Sequence, residues 1–265
     1  MYIAQTNSTN TLMKKLLAEG KWPDSERFLR TDYQTAGRGQ AGNGWESEQG
    51  KNLLFSVLLN TAHTPVENQF DLSVVTSVAL HKFVGSISRA SRDHLESISS
   101  RKIPEPTIKW PNDLYWEDKK LAGILIETGL SQNRIAWAIA GIGLNVNQTE
   151  FVSNAPNPVS LKQIYGTDFD LAQLMELFLT SLSEVETLSR EEQWAYYLAH
   201  LYRREGYWPF VEREVSTMPT MNADQAAQGQ FLACIREIFP NGEILLETKD
   251  GNRKSYHFKQ IRYVL

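Results

Sequence analysis

Thr107-Ile108-Lys109-Trp110-Pro111-Asn112-Asp113-Leu114-Tyr115-Trp116, continued through Lys120 to Thr128, is the stretch from which the fold is read. Thr107 to Trp110 has the content of a short strand, and Pro111-Asn112-Asp113 has the chemistry of a turn or bulge that ends or re-aims it. Leu114 to Trp116 reads as a second strand, Glu117-Asp118-Lys119 as a polar turn, and Leu121 to Thr128 as a third, nearly all-apolar strand. Lys109 and Lys120 are then expected at neighbouring strand ends, forming a compact positive pole. A single lysine on a strand edge is ordinary protection against edge pairing. Two lysines beside Trp110, Asn112 and Asp113 are poor surface filler and good material for an anion site.

Working outward, the rest of the body alternates helix and strand. Ser8-Thr9-Asn10 offers N-cap residues for a helix through Leu12, Met13, Leu16 and Leu17 that stops at Gly20. Phe28 to Tyr33, Asn52 to Leu59 and Arg134 to Val146 read as strands, the last pausing at Gly141 and Gly143. Leu72, Val75, Ala79 and Phe83 fall at helical spacing between Phe70 and Ser88, and the polar run Ser91 to Lys102 reads as a surface insertion. Phe169 to Leu188 and Glu191 to Arg204 read as two consecutive helices. The expectation is an α+β body: a mixed sheet with helices covering one face.

Beyond Val215 the texture changes, with Thr217-Met218-Pro219-Thr220 as the expected linker. Asn241-Gly242 and Asp250-Gly251 sit between apolar runs (Gln230 to Phe239, Glu243 to Thr248, Arg253 to Phe258, Ile261 to Leu265) and are hairpin signals. The expected division is residues 1–215 for the body and 216–265 for a small all-β barrel too small to be robust alone.

Composition bounds the function. A chain of 265 residues, 42% hydrophobic and 22% charged, is expected to be soluble and globular, and its longest apolar run, Asn52 to Leu59, is too short for a bilayer. Met1 to Thr6 lacks the regions of a signal peptide, so a cytoplasmic protein with no membrane contact is expected. The formal net charge of −4 argues against a nucleic-acid partner. Cys234 is the sole cysteine, and His63, His81, His94, His200 and His257 show no ligand spacing, so no protein-held metal is expected. No Ser/His/Asp set stands out.

Thr35 to Trp45 holds Gly37, Gly39, Gly42 and Gly44 with Arg38 among them. Backbone without Cβ atoms can approach a phosphate closely, and Arg38 adds a forked cation. The match to a dinucleotide fingerprint is only formal, because Asn43 to Gly50 has no apolar periodicity and opens no helix. A P-loop fails too: Gly44 to Gly50-Lys51 is one residue too long, and Asn52 stands where Ser or Thr is needed.

Taken together, Ser8-Thr9-Asn10, Gln34 with Gly37-Arg38-Gly39, Lys109-Trp110-Pro111-Asn112-Asp113, Lys120-Leu121-Ala122-Gly123-Ile124 through Glu127, and Gly141 to Asn147 resemble the catalytic module of biotin protein ligases. The likeness runs over essentially the whole chain, the tail resembling that family's SH3-like C-terminal domain. It implies a class II synthetase-like catalytic body at residues 1–215 and, with only seven residues before Ser8, no helix-turn-helix DNA-binding domain.

The resemblance also implies the chemistry. Biotin's carboxylate attacks the α-phosphate of ATP, giving biotinyl-5′-AMP, with Mg²⁺ accompanying the nucleotide. The ε-amine of a lysine on a carrier domain of a carboxylase then takes the acyl group. Two anions about 4 Å apart repel by roughly 4 kcal/mol at an effective dielectric near 20, which cations at the meeting point offset. By resemblance Arg38, Lys109, Asp113 and Lys120 are the catalytic set. Ser8, Thr9, Asn10, Gln34, Arg38, Gly39, Gln40, Lys120 and Gly123 face biotin, and Gly37, Arg38, Gly39, Trp45, Lys109, Asn112 and Asn145 face ATP. Asp113 is expected to orient or deprotonate the acceptor amine. Trp45 either stacks near the adenine or anchors the core.

The resembling family often has arginines after Gly-Arg-Gly, where this chain has Gln40, Ala41 and Asn43, so comparatively fast adenylate release and untargeted labelling of bystander lysines are expected. Lipoate or octanoate ligation shares the adenylation logic and is the near alternative. A non-catalytic ligand- or nucleic-acid-binding module is the distant one, disfavoured by six Lys/Arg against five Asp/Glu from Asn222 onward. A homodimer stays open.

Overall fold

The computed structural model describes residues 1–62, 64–98, 104–152, 157–213 and 229–265, without the side chains of residue 41 and residues 91–98. Seven strands form the main sheet: β1 (Tyr2–Thr6), β2 (Phe28–Gln34), β3 (Leu53–Leu58), β4 (Thr107–Lys109), β5 (Asp113–Trp116), β6 (Lys119–Ser131) and β7 (Arg134–Leu144). Their spatial order is β1-β2-β3-β7-β6-β5-β4. The β1–β2 pair is parallel and all other neighbours are antiparallel, so the sheet is mixed as expected. The central strands are the most apolar because both their faces are covered, and Leu53 through Val57 are all buried.

Among the described residues five α-helices surround the sheet: α1 (Thr9–Ala18), α2 (Asp71–Ile98), α3 (Leu161–Tyr165), α4 (Leu171–Glu186) and α5 (Arg190–Ala199). α2, α4 and α5 pack on one face, where Val78, Phe83, Phe178, Leu182 and Val185 meet Phe55 and Val57. α1 lies on the opposite face with a small core of its own, Met13 against Leu29 and Ile139. The helical layer is therefore one-sided except for α1. Residues Val66–Ala90 are long and apolar enough to match a membrane span, but 72% of the window is buried, which is the setting of a core helix. α2 runs straight through Ser91 to Ile98, where a surface insertion was expected. The rest of that stretch, residues 99–102, lies outside the described residues.

A second, antiparallel sheet has the order β11-β10-β9-β8-β12, built from β8 (Trp208–Glu212), β9 (Gln230–Ile238), β10 (Ile244–Thr248), β11 (Arg253–Tyr256) and β12 (Ile261–Tyr263). Gly242 and Gly251 take positive φ of 87° and 86°, as the two expected turns require. β8 belongs to this sheet although it precedes residue 216, so the second sheet begins earlier than the boundary expected from sequence. The expected linker Thr217 to Thr220 lies outside the described residues.

The two sheets share one core. Phe210, Ile244, Tyr256 and Tyr263 belong to the same buried cluster as Phe55 and Phe178. Trp110 Nε1 donates to the Gly242 carbonyl at 3.1 Å, and Tyr197 Oη donates to that of Pro111 at 2.7 Å. The segment that carries the lysine pole is thus held between the α5 end and the second sheet.

Candidate active site

Antiparallel register sets the pole. Lys109 faces Asp113 across β4–β5, and Tyr115 faces Lys120 across β5–β6, with a bulge between Leu114 and Tyr115. Lys120 Nζ bonds Asp113 Oδ2 at 2.7 Å. Asp113 therefore holds Lys120, a contact additional to the amine-orienting role expected of it. Lys109 Nζ donates to Tyr115 Oη at 2.9 Å and lies 4.4 Å from the centre of that ring. Burial pulls the Lys109 ammonium down from its ordinary value to about 8, against the pull of the Asp113 carboxylate and with help from Lys120. The Lys120 backbone is clamped as well: Asn145 Nδ2 donates to the Val159 carbonyl at 3.1 Å and to the Lys120 carbonyl at 3.4 Å.

The start of α1 supplies a polar floor. Ser8 occupies the N-cap position but its side chain makes no capping bond, so the capping role open to it from sequence is not the one it has here. Gln34 Oε1 accepts from the Thr9 amide at 2.8 Å and from the Thr9 hydroxyl at 3.1 Å. Ser56 Oγ donates to Asn10 Oδ1 at 2.6 Å and lies within hydrogen-bond distance of Thr9 Oγ1 at 2.7 Å, and Asn10 Nδ2 reaches Glu127 Oε2 at 3.0 Å. Thr9, Asn10 and Ser56 are all buried, so their bonds act at low dielectric. Gly141 has a reason to be glycine, since a Cβ there would stand 2.3 Å from Asn10 Oδ1.

The glycine loop between β2 and β3 folds into its own small hairpin. Arg38 bridges Gly44, the Gly39 amide donates to the Asn43 carbonyl at 2.7 Å, and the Trp45 amide donates to Gly37 at 2.9 Å. The Gly39 N–H is thereby committed to the loop in this arrangement and does not point to a phosphate. Arg38 rests on Glu127, with contacts of 3.3 Å to both carboxylate oxygens. The Trp45 indole lies on the floor of β6 and β7, where a Cβ on Gly143 would come within 2.3 Å and one on Gly123 within 2.9 Å. Its Nε1 is buried without a partner, and Lys120 Nζ sits 5.8 Å from its ring centre.

These walls enclose one cleft of about 1230 Å³. It is lined by Ser8, Thr9, Asn10, Gln34, Gly37, Arg38, Gly39, Gln40, Trp45, Lys109, Asp113, Lys120, Gly123 and Asn145, every residue singled out from sequence except Asn112. Asn112 is buried and its Oδ1 has no hydrogen-bond partner. Sequence reasoning missed the outer wall, where Arg213, Phe258, Lys259, Arg262 and Tyr263 of the C-terminal sheet and its margins face the cleft. No local motif marks them, because they reach it only through the docking of the second sheet. Among the described residues no group of three His, Cys, Asp or Glu is placed to hold a metal ion.

The arrangement can gather anionic oxygens on three cations beside a polar, enclosed floor. Comparison with known proteins gives the same direction. The family model described as Biotin/lipoate A/B protein ligase family matches residues 2–145. The bifunctional ligase/repressor BirA of Bacillus spizizenii is 28% identical over 91% of this chain and 67% of its own length. The biotin–[acetyl-CoA-carboxylase] ligase of Mycobacterium tuberculosis is 32% identical over 55% of this chain and 48% of its own. The structure of the Aquifex aeolicus biotin protein ligase in complex with biotin and ATP superposes with a TM-score of 0.66 at 25% identity, covering 100% of this chain and 98% of that one. The Leishmania major biotin protein ligase with biotinyl-5-AMP has a TM-score of 0.63 at 17% identity, covering 97% of each chain, a likeness of fold.

Proposed function

The chain belongs to the Biotin/lipoate A/B protein ligase family, and from that premise we propose that it activates biotin with ATP as biotinyl-5′-AMP and passes the biotinyl group to a lysine of a carrier protein. The single observation that carries this reading is the convergence of Lys109, Lys120 and Arg38 on one cleft whose enclosed floor is a buried polar network. An alkyl acyl chain has no use for such a floor, whereas a ureido ring needs donors and acceptors together.

In the first step a biotin carboxylate oxygen bonds the α-phosphorus, the bond to the β-phosphate oxygen breaks, and pyrophosphate leaves. Lys120 draws the carboxylate, with Asp113 ceding part of its hold. Lys109 and Arg38 neutralise charge on the phosphoryl oxygens. Arg38 is well placed to transfer, since its half-exposed pair with Glu127 is weak. In the second step the acceptor amine attacks the acyl carbon and AMP leaves, the nitrogen giving up a proton. Asp113 is the nearest carboxylate to this pole and is proposed to orient that amine.

A magnesium ion fits as a passenger on the nucleotide's phosphates, because the described side chains offer no carboxylate cage of their own. The acceptor is proposed to be the carrier domain of a carboxylase, and the setting cytoplasmic, with no part for nucleic acid or membrane. The decisive experiment is exchange of labelled pyrophosphate into ATP, run with biotin, with lipoate, with octanoate and with no acid. Exchange with biotin alone is expected. Exchange with lipoate or octanoate and not with biotin would move the chain to the other branch of the family, and exchange with none would remove the adenylating role.

A further inference from the structure

Lys109 does not sit in open water at the cleft wall. Tyr115 from β5 lies under its ammonium at 4.4 Å and accepts a hydrogen bond from it at 2.9 Å. From the other side comes a ring of a different sheet: Tyr263 of β12, 5.2 Å from Lys109 Nζ. Tyr202, just after α5, packs against both rings and braces them, 5.4 Å from the Tyr115 ring and 5.8 Å from that of Tyr263. Tyr263 is buried, and its hydroxyl has no hydrogen-bond partner, so the ring is the part that makes contacts here.

We propose that Tyr263 is a positioning residue for Lys109: docking of the C-terminal sheet completes an aromatic box that fixes the ammonium beside Asp113 and keeps water from it. A partly dehydrated cation held by ring faces is a stronger partner for a phosphoryl oxygen than a hydrated one on a free stem. The adenylating competence of the body thus depends on the second sheet through one ring. This rests on the reading of Lys109 as a phosphate-facing group, but its test does not.

The charged and titratable groups around the box are Asp113, which favours the ammonium, and Lys120, Arg203 and Arg213, which oppose it. Burial outweighs them all and sets the titration near 8. The sign follows. Opening the box to water must raise the Lys109 titration, while weakening the ring's attraction without opening the box must lower it.

The experiment is competitive acetylation of Lys109 in the full-length protein across a pH series, read by mass spectrometry, on the wild type, Tyr263→Ala, Tyr263→Phe and a trifluorinated phenylalanine at 263. The wild-type midpoint is expected near 8 and that of Tyr263→Phe close to it. Tyr263→Ala is expected to climb by about one unit or more toward 10.5, and the fluorinated ring to fall below Phe. The alkaline limb of biotin-dependent pyrophosphate exchange should move with each midpoint. A wild-type midpoint near 10.5, or a fluorinated ring that leaves the Phe midpoint unchanged, overturns the proposal, and the latter needs no destabilising variant. A labelling shift without any exchange activity would instead spare the box and sink the ligase reading.

Discussion

At the residue scale, the lysine pole is a product of strand register, and the acidic partner of Lys120 comes from the same run of antiparallel strands. Lys109, Asp113 and Lys120 lie within twelve positions of one another, and antiparallel register converts that closeness in sequence into closeness in space. Glu127, by contrast, joins Arg38 and Asn10 from distant segments, so nothing in the local pattern could reveal that one carboxylate serves both. Gly141 shows the same limit: its presence in a motif is visible, its purpose is not. A methyl group there would press on Asn10 Oδ1, which is buried and already held by Ser56. Gly141→Ala is therefore expected to weaken biotin binding about tenfold or more, the equivalent of losing roughly one buried hydrogen bond. Titration calorimetry with biotin checks this, and a variant that binds like the wild type would show that the floor does not hold the ligand. Trp45 rests its indole on Gly123 and Gly143 and at the same time lines the cleft, a placement compatible with both stacking and packing. Gly143→Ala is accordingly expected to displace the loop and raise the accessibility of Trp45 to a fluorescence quencher, and an unchanged quenching constant would count against that contact.

At the element scale, most strands and helices of the body were readable from periodicity, and each failure has a local cause. β1 is a five-residue edge strand with little burial, and its partner, β2, lies parallel beyond a whole helix. β8 carries Pro209, which ordinarily demotes a strand, yet it pairs with both β9 and β12, and the Pro209 carbonyl accepts from the Val264 amide. α2 outran its expected end because a polar run hides a helix from a test that looks for apolar spacing.

The same helix buries His81. Its Nε2 meets the Pro106 carbonyl at 2.8 Å and its Nδ1 the Tyr196 hydroxyl at 3.0 Å, so the neutral ring with the proton on Nε2 fits this site. Burial, then the neighbouring His200, pull it down to about 4. The unfolded chain takes up this proton at higher pH than the folded one. Stability is therefore full above about 6.5 and drains as pH falls toward 4. The loss at its limit is about 3 kcal/mol. Urea unfolding at pH 7 and pH 4.5 should show a larger drop for the wild type than for His81→Gln, and equal drops would refute the assignment.

At the scale of the whole molecule, sequence reading separated a body from a tail, while the structure joins their interiors. Phe210, Ile244 and Tyr263 share one core with the body, and Trp110, inside the lysine-bearing motif, is buried with its Nε1 on the Gly242 carbonyl and its ring 6.0 Å from that of Phe258. A small β barrel that borrows its core cannot melt independently, so a single calorimetric transition is expected for the intact protein. Trp110→Ala removes the large side chain at that junction, at a cost of about 3–5 kcal/mol. The C-terminal sheet is expected to loosen first, splitting the transition in two. Because Arg262, Lys259 and Tyr263 line the cleft only while that sheet is docked, pyrophosphate exchange should fail at the lower of the two temperatures. Were exchange to persist until the body itself melts, the outer wall would be scaffold alone, and the cations of the body would suffice for the chemistry.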